Sequence, residues 1–164
     1  NYIIQNKLDN VVQDMLDLIY NNLKIPTLDE YLNCCVENKL TPIIEFKAVN
    51  VENVKEIVDK IKKYGLEDNT IIISTSYEWI RYIREYSDKI QFQYLNDITI
   101  ENINLLKKYG NYGIDIKIDK ITKDKVDLAH LNGAKVNVWT VNSRNDINRF
   151  IDMGVDMITS DLGF

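Results

Sequence analysis

Short β-branched runs alternate along the chain with longer amphipathic stretches. The runs have the length and residue types of strands, and apolar residues recur at helical spacing in the stretches between them. Predicted strands are Thr41–Lys47, Thr70–Thr75, Ile90–Leu95, Gly113–Ile118, Lys135–Val141 and Asp156–Asp161. Predicted helices cover 27–38, 51–64, 77–86, 100–109, 123–132 and 145–153, with a helical lead-in over 8–23. This alternation predicts right-handed βαβ units around a parallel sheet.

Most of the predicted strands carry a polar face as well as an apolar one. In the first, Glu45 and Lys47 share a face with Ile43, and Ile44 and Phe46 lie on the other. Doubly wound sheets cover both faces with helices, so a polar face favours a barrel, whose inner walls meet around one axis. A complete (β/α)8 barrel needs eight strands and about 250 residues. We therefore expect an α/β fold of the TIM type, incomplete, with about six parallel strands and the first two missing, as one domain over residues 1–164.

Composition and charge narrow the class of protein. The 164 residues are 45% hydrophobic and 27% charged, a balance typical of one soluble domain. A net charge of -5 argues against a non-specific nucleic-acid binder, which needs a basic face. No apolar run is long enough to span a bilayer. Adjacent Cys34 and Cys35 are expected not to bridge each other, and with no sign of an oxidising compartment we expect a cytoplasmic location.

Four segments, in order and at characteristic spacing, resemble motifs of the glycerophosphodiester phosphodiesterase family. They are Ile25–Leu32 (IPTLDEYL), Ile43–Lys47 (IIEFK), Val138–Asn142 (VWTVN) and Gly154–Asp161 (GVDMITSD). The resemblance extends from Ile25 to the end of the chain. It implies a (β/α)8 barrel that hydrolyses a small phosphodiester substrate to glycerol 3-phosphate and an alcohol, a reaction of lipid metabolism. A sphingomyelinase-D-like relative fits less well, because the VWTVN segment matches the first family better.

The resemblance also implies roles for particular residues. Glu45 corresponds to a glutamate that binds a divalent cation, calcium or magnesium, in the intact family. Lys47 corresponds to a lysine near the substrate phosphate, and Trp139 to a tryptophan lining the substrate pocket. Ser74 falls where the family has Ser-Phe, with Thr75 in place of the phenylalanine, and is a third candidate for substrate binding.

The sequence lacks the motifs that would carry catalysis in this family. A His-Arg pair, a Glu-x-Asp triplet and a second catalytic histidine are all missing, and His130 is the only histidine. A single histidine cannot serve as both general acid and general base without a positioned partner. We therefore expect no catalytic residue in this chain, metal binding by Glu45 alone to be doubtful, and the chain by itself to be inactive.

Several alternatives to an enzyme site remain open at this point. Glu45 and Lys47 could form a plain ion pair, Asp115 and Lys117 could pair across the lumen, and His130 is expected to be a structural or solvent-facing helix residue. The alternative function is a non-catalytic shortened barrel that acts as a binding or oligomerisation module. Open strand edges predict a homodimer, a collapsed sheet or poor solubility, unless the predicted lead-in helix covers the gap. A His-Arg pair encoded upstream of Asn1 would favour the enzyme, and a start codon there would favour the module.

Overall fold

The computed structural model describes residues 25–47 and 49–162, so the predicted helix over 8–23 lies outside the described residues. The strands are β1 (Ile43–Glu45), β2 (Ile71–Ser74), β3 (Gln91–Leu95), β4 (Tyr112–Lys117), β5 (Lys135–Trp139) and β6 (Met157–Ile158). The helices are α1 (Leu28–Asn38), α2 (Val54–Lys63), α3 (Trp79–Arg84), α4 (Ile100–Lys107), α5 (Lys123–Leu131) and α6 (Arg144–Met153). Two 3-10 turns, Val51–Asn53 and Glu67–Asn69, stand before α2 and β2.

The six strands form one parallel sheet in the order β1-β2-β3-β4-β5-β6. All six predicted strands are confirmed, as is the α/β class. The end strands are shorter than predicted, three residues in β1 and two in β6. Within the described part of the chain each end strand has a neighbour on one side only. Each end strand therefore has backbone hydrogen bonds to one neighbouring strand only, and fewer of its residues are held in strand conformation.

The sheet curls into an open half-barrel. The Gln93 side chain of β3 reaches Met157 of β6, with 3.7 Å between the amide nitrogen and the sulfur. Two strands so far apart in sheet order can touch only if the sheet bends around a common lumen. The predicted incomplete barrel of about six parallel strands is therefore confirmed.

The apolar core lies between the outer face of the sheet and the helices. Ile72, Phe92, Ile114 and Val138 point outward from four neighbouring strands and are completely buried. Their alternation with lumen-facing residues follows from the two-residue repeat of a strand. The same repeat leaves the polar positions on the inner wall, which is where a ligand can reach them.

Side-chain caps fix the ends of the helices and so the directions of the loops around the lumen. Thr27 and Glu30 form a reciprocal capping box at the start of α1. Thr99, Thr122 and Ser143 each accept a hydrogen bond from the first turn of the helix that follows.

Arg84, at the end of α3, holds together the turns that lead into β3 and β4. Its guanidinium donates five hydrogen bonds to backbone carbonyls, at 2.9 to 3.1 Å, and so uses all five of its N–H groups. Two acceptors belong to Gly110 and Asn111, which both have positive φ. The acceptors are the carbonyls of Ser87, Ile90, Tyr109, Gly110 and Asn111.

Asp156 performs a similar task at the amino end of β5. Its carboxylate accepts the Val136 backbone N–H at 2.8 Å, lies 3.0 Å from Lys135 Nζ and lies 2.9 Å from His130 Nε2. These hydrogen bonds hold the pKa of Asp156 below its usual value, despite the opposing effect of burial. The cluster therefore joins α5 to the β5–β6 pair at the end of the barrel away from the predicted site.

Candidate functional site

A cavity of about 560 Å³ opens at the carboxyl ends of the strands, the end where barrels of this type place their sites. Every strand, or the loop directly after it, contributes at least one lining residue. The lining residues are Ile43, Glu45, Lys47, Ile73, Thr75, Leu95, Asp115, Asn137, Trp139, Thr140 and Thr159. The structure thus brings Glu45, Lys47 and Trp139, three of the predicted site residues, into one cavity.

Glu45, the last residue of β1, and Lys47, two residues beyond it, form an ion pair at the inner wall of the half-barrel. Lys47 Nζ lies 3.2 Å from Glu45 Oε2, and the two side chains are 76% and 34% exposed, respectively. An ion pair this accessible to water contributes little to stability. The Lys47 ammonium therefore keeps most of its freedom to turn towards an anion in the cavity.

Trp139 stands at the end of β5 with its ring fixed in place. Its indole N–H donates to the backbone carbonyl of Asp115 on β4, at 3.2 Å. This hydrogen bond satisfies the polar edge of the indole and leaves its apolar surface to line the cavity. The orientation is what a wall that contacts the carbon skeleton of a ligand requires.

Ser74 lies on the opposite face of the sheet from the other candidates. Its side chain is buried, and its hydroxyl donates to the Phe46 carbonyl at 2.7 Å and accepts the Ser76 N–H at 3.2 Å. The residue of this segment that lines the cavity is Thr75. Ser74 therefore braces the ends of β1 and β2, and its predicted contact with substrate receives no support from this geometry.

Asp115 and Asn137 form a polar pair deep in the cavity. They face each other across β4 and β5 and are 3% and 4% exposed. The Asn137 amide nitrogen donates to the Thr159 hydroxyl at 2.9 Å. Among the described residues, neither Asp115 Oδ1 nor Asn137 Oδ1 has a hydrogen-bond partner. Alternation within each strand predicts that both residues face inward, but the pairing itself depends on the register between β4 and β5.

Burial determines how Asp115 titrates. Transfer of the carboxyl group out of water raises its pKa from 3.8 to about 7, the Asn137 amide opposes this shift, and the Glu45 carboxylate adds to it. The alternative in which Asp115 pairs with Lys117 is wrong. Lys117 points towards the loop beyond β4, and its Nζ lies 3.1 Å from Asp119 Oδ2.

The residues around Glu45 do not make a convincing site for a divalent cation. A hard dication binds several oxygens, usually from more than one carboxylate. Within residues 25–47 and 49–162, no group of three or more histidine, cysteine, aspartate or glutamate residues is placed to hold a metal. Glu45 is moreover paired with the Lys47 ammonium.

The family of the chain follows from comparison with known proteins. The sequence profile of the glycerophosphoryl diester phosphodiesterase family matches residues 6–162. A glycerophosphodiester phosphodiesterase from Caldanaerobacter subterraneus subsp. tengcongensis is 26% identical over 142 residues, which cover 84% of this chain and 58% of that protein. The chain thus spans about three fifths of the length of this relative.

Solved structures show the same fold. A glycerophosphodiester phosphodiesterase from Parabacteroides distasonis is 29% identical with a TM-score of 0.70, over 84% of this chain and 60% of that one. An Oleispira antarctica phosphodiesterase, solved with the product sn-glycerol-3-phosphate, is 20% identical with a TM-score of 0.74, over 84% and 57%. Together with the family profile over nearly the whole sequence and the shared half-barrel, these comparisons show that the chain belongs to the glycerophosphoryl diester phosphodiesterase family.

Proposed function

We propose that the chain belongs to a phosphoric diester hydrolase of lipid metabolism, which converts a glycerophosphodiester to glycerol 3-phosphate and an alcohol. The observation that carries this proposal is the meeting of Lys47, Glu45 and Trp139 in one cavity at the carboxyl ends of the strands. The relative named above carries this activity in its name, and the Oleispira antarctica enzyme was solved with glycerol 3-phosphate as its product.

The residues of the cavity suit the binding of a phosphate ester. Lys47 offers an ammonium group to a phosphate oxygen, and such charge-assisted hydrogen bonds are stronger than neutral ones. The Glu45 carboxylate lies 3.2 Å from this ammonium, on the lumen side of the sheet. Trp139 contributes an apolar wall for the carbon skeleton of the ester. Together these side chains bind and orient a substrate.

We also propose that residues 1–164 do not catalyse the reaction by themselves. The only histidine of the sequence, His130, lies beside Asp156 at the amino end of β5, outside the cavity. The histidine pair that the family resemblance implies as general acid and base therefore has no counterpart in this cavity. The family is generally metal-dependent, and Glu45 remains the predicted but weak ligand for calcium or magnesium.

An assay of the chain tests both halves of this proposal. With glycerophosphocholine and calcium or magnesium, we expect no choline release above background. In titration calorimetry glycerol 3-phosphate should bind, and Lys47→Met should weaken this binding about tenfold, the effect of losing one charge-assisted hydrogen bond. Lys55→Met, which removes an exposed lysine of α2 that is paired with Asp59, is the matched control. Turnover well above background would refute inactivity, and unchanged binding by Lys47→Met would refute its role.

The second candidate function is a binding or oligomerisation module. It is favoured by a ligand-sized cavity that contains no histidine and by the unpaired sides of β1 and β6 in the described residues. Exposed parallel edges offer backbone groups to another strand, so we expect a homodimer in sedimentation velocity. A sharply monomeric species would contradict this prediction. The gene upstream of the Asn1 codon separates the two functions, because only the enzyme requires a His-Arg pair there.

Two further observations concern partners. None of the helices in the described part of the chain is long and apolar enough to cross a membrane. A small phosphodiester is the ligand that the cavity suits. We propose no nucleic-acid partner, in keeping with the net charge of -5. We also propose a cytoplasmic location.

A further inference from the structure

The Tyr31 side chain of α1 contacts the open edge of β1. Its hydroxyl accepts a hydrogen bond from the Ile43 backbone N–H at 3.1 Å and donates one to the Ile43 carbonyl at 3.4 Å. In the described part of the chain β1 is an end strand, and it pairs with β2 on its other side. One side chain thus engages both backbone groups of an edge residue, groups that an open edge otherwise leaves to water or to another chain.

The two groups that Tyr31 engages are the ones that a further strand would need. Alternate residues of a parallel strand direct their N–H and C=O groups to opposite neighbours. The Pro42 carbonyl and the Phe46 N–H bond to β2, at 3.0 and 2.8 Å. Ile43 and Glu45, one residue out of step, therefore direct their backbone groups to the open side. Because β1 has only three residues, Ile43 is one of just two of them through which a new strand could pair.

The packing of α1 sets the position of this hydroxyl. The Tyr31 ring is half-buried and packs against the apolar core. On the same helix Leu32 is completely buried, and Asp29 forms an ion pair with Lys60 of α2. Burial raises the pKa of the Tyr31 hydroxyl, so the group keeps its proton at neutral pH and can donate to the Ile43 carbonyl. The helix therefore presents an intact donor and acceptor to the edge of β1.

We propose that Tyr31 is an edge latch, which closes β1 to a further strand and controls the association of one copy of the chain with another at this edge. A strand of a second copy can pair with β1 only after the Tyr31 hydroxyl has left the Ile43 backbone. The homodimer predicted for the binding module would have to break both of these hydrogen bonds in order to form through β1. This role is independent of the hydrolase function proposed above.

Hydrogen exchange of the Ile43 amide, followed by NMR on the whole chain, measures the latch directly. In the wild type we expect slow exchange at a rate that does not depend on protein concentration, because the acceptor belongs to the same chain. Tyr31→Phe keeps the ring and removes only the hydroxyl, so this amide should exchange about tenfold faster. Tyr112→Phe is the matched control: it removes a hydroxyl that donates to the Asn132 carbonyl at 2.6 Å, away from β1, and should leave the Ile43 amide unchanged.

Sedimentation velocity measures the consequence for association. Once the hydroxyl no longer competes for the Ile43 backbone, Tyr31→Phe should self-associate about tenfold more tightly than the wild type, and Tyr112→Phe should not. The double variant Tyr31→Phe/Ile43→Pro lacks the N–H that a partner strand needs, and proline is tolerated on edge strands. Its association should therefore return to that of the wild type.

The latch would be overturned by any of three results. The first is an Ile43 amide that exchanges in the wild type as fast as an unprotected amide. The second is protection of this amide that rises with protein concentration, which would mean that a second copy supplies the acceptor. The third is equal exchange or equal association in the wild type and Tyr31→Phe. The wild-type measurement decides the matter even if the variant does not fold.

Discussion

The contribution of Asp115 to the free energy of unfolding should fall by about 4 kcal/mol as the pH rises from about 4 to about 8, and Asp115→Asn should lose this contribution. The folded chain keeps the Asp115 proton up to a pKa of about 7, whereas the unfolded chain releases it near 3.8. Between these values the folded state binds more protons. Stability must therefore decrease as the pH rises through this window.

Urea unfolding of both proteins at several pH values measures this effect. The difference between the two curves isolates Asp115, because the other titrating groups are common to both. Asp119→Asn serves as the control. Lys117 lowers the pKa of the Asp119 carboxyl, so this variant should retain the wild-type dependence of stability on pH between pH 4 and 8. Parallel curves for wild type and Asp115→Asn would show that the buried carboxyl does not carry the dependence.

Arg84→Met should destabilise the chain by about 3 kcal/mol. Methionine keeps most of the apolar stem but removes all five donors, and the carbonyls before β3 and β4 would lose their charge-assisted hydrogen bonds. Arg84→Lys should have a stability between those of the wild type and Arg84→Met, because an ammonium has only three donors and cannot match the planar guanidinium. Thermal or urea unfolding measures the differences.

Arg81→Met is the matched control for this experiment. Arg81 lies on the same helix and donates to the Tyr82 hydroxyl in an exposed position, so its loss should change stability by less than about 0.5 kcal/mol. If Arg84→Met were as stable as Arg81→Met, the guanidinium would not be needed to hold the two turns together.

The sequence predicted the strands well because residues alternate between core and lumen. β4 shows this clearly: Ile114 and Ile116 are completely buried against the helices, while Asp115 faces the cavity. The alternation failed to give the phase of β2, where isoleucines occupy both faces from Ile71 to Ile73. The prediction that Ser74 belongs to the site therefore rests on family resemblance alone, and the structure puts this residue on the outer face.

The candidate site was predictable only where a single strand determines it. Glu45 and Lys47 lie two residues apart, so their common face follows from the strand repeat. Asp115 and Asn137 meet because of the register between β4 and β5, which alternation within one strand does not specify. The same limit applies to Arg84, whose five acceptors come from two turns distant in sequence. Contacts of this kind need the three-dimensional arrangement.

Pairing of each strand only with its sequence neighbours affects how the chain assembles. Every pair of hydrogen-bonded strands is joined by a single α-helical crossover, so no distant segment must be found before the next unit can add. The middle strands, β3 to β5, are the longest and have partners on both sides, whereas β1 and β6 are brief. Folding should therefore begin in the centre of the half-barrel and spread outward, and the rim strands should be the last to acquire native order.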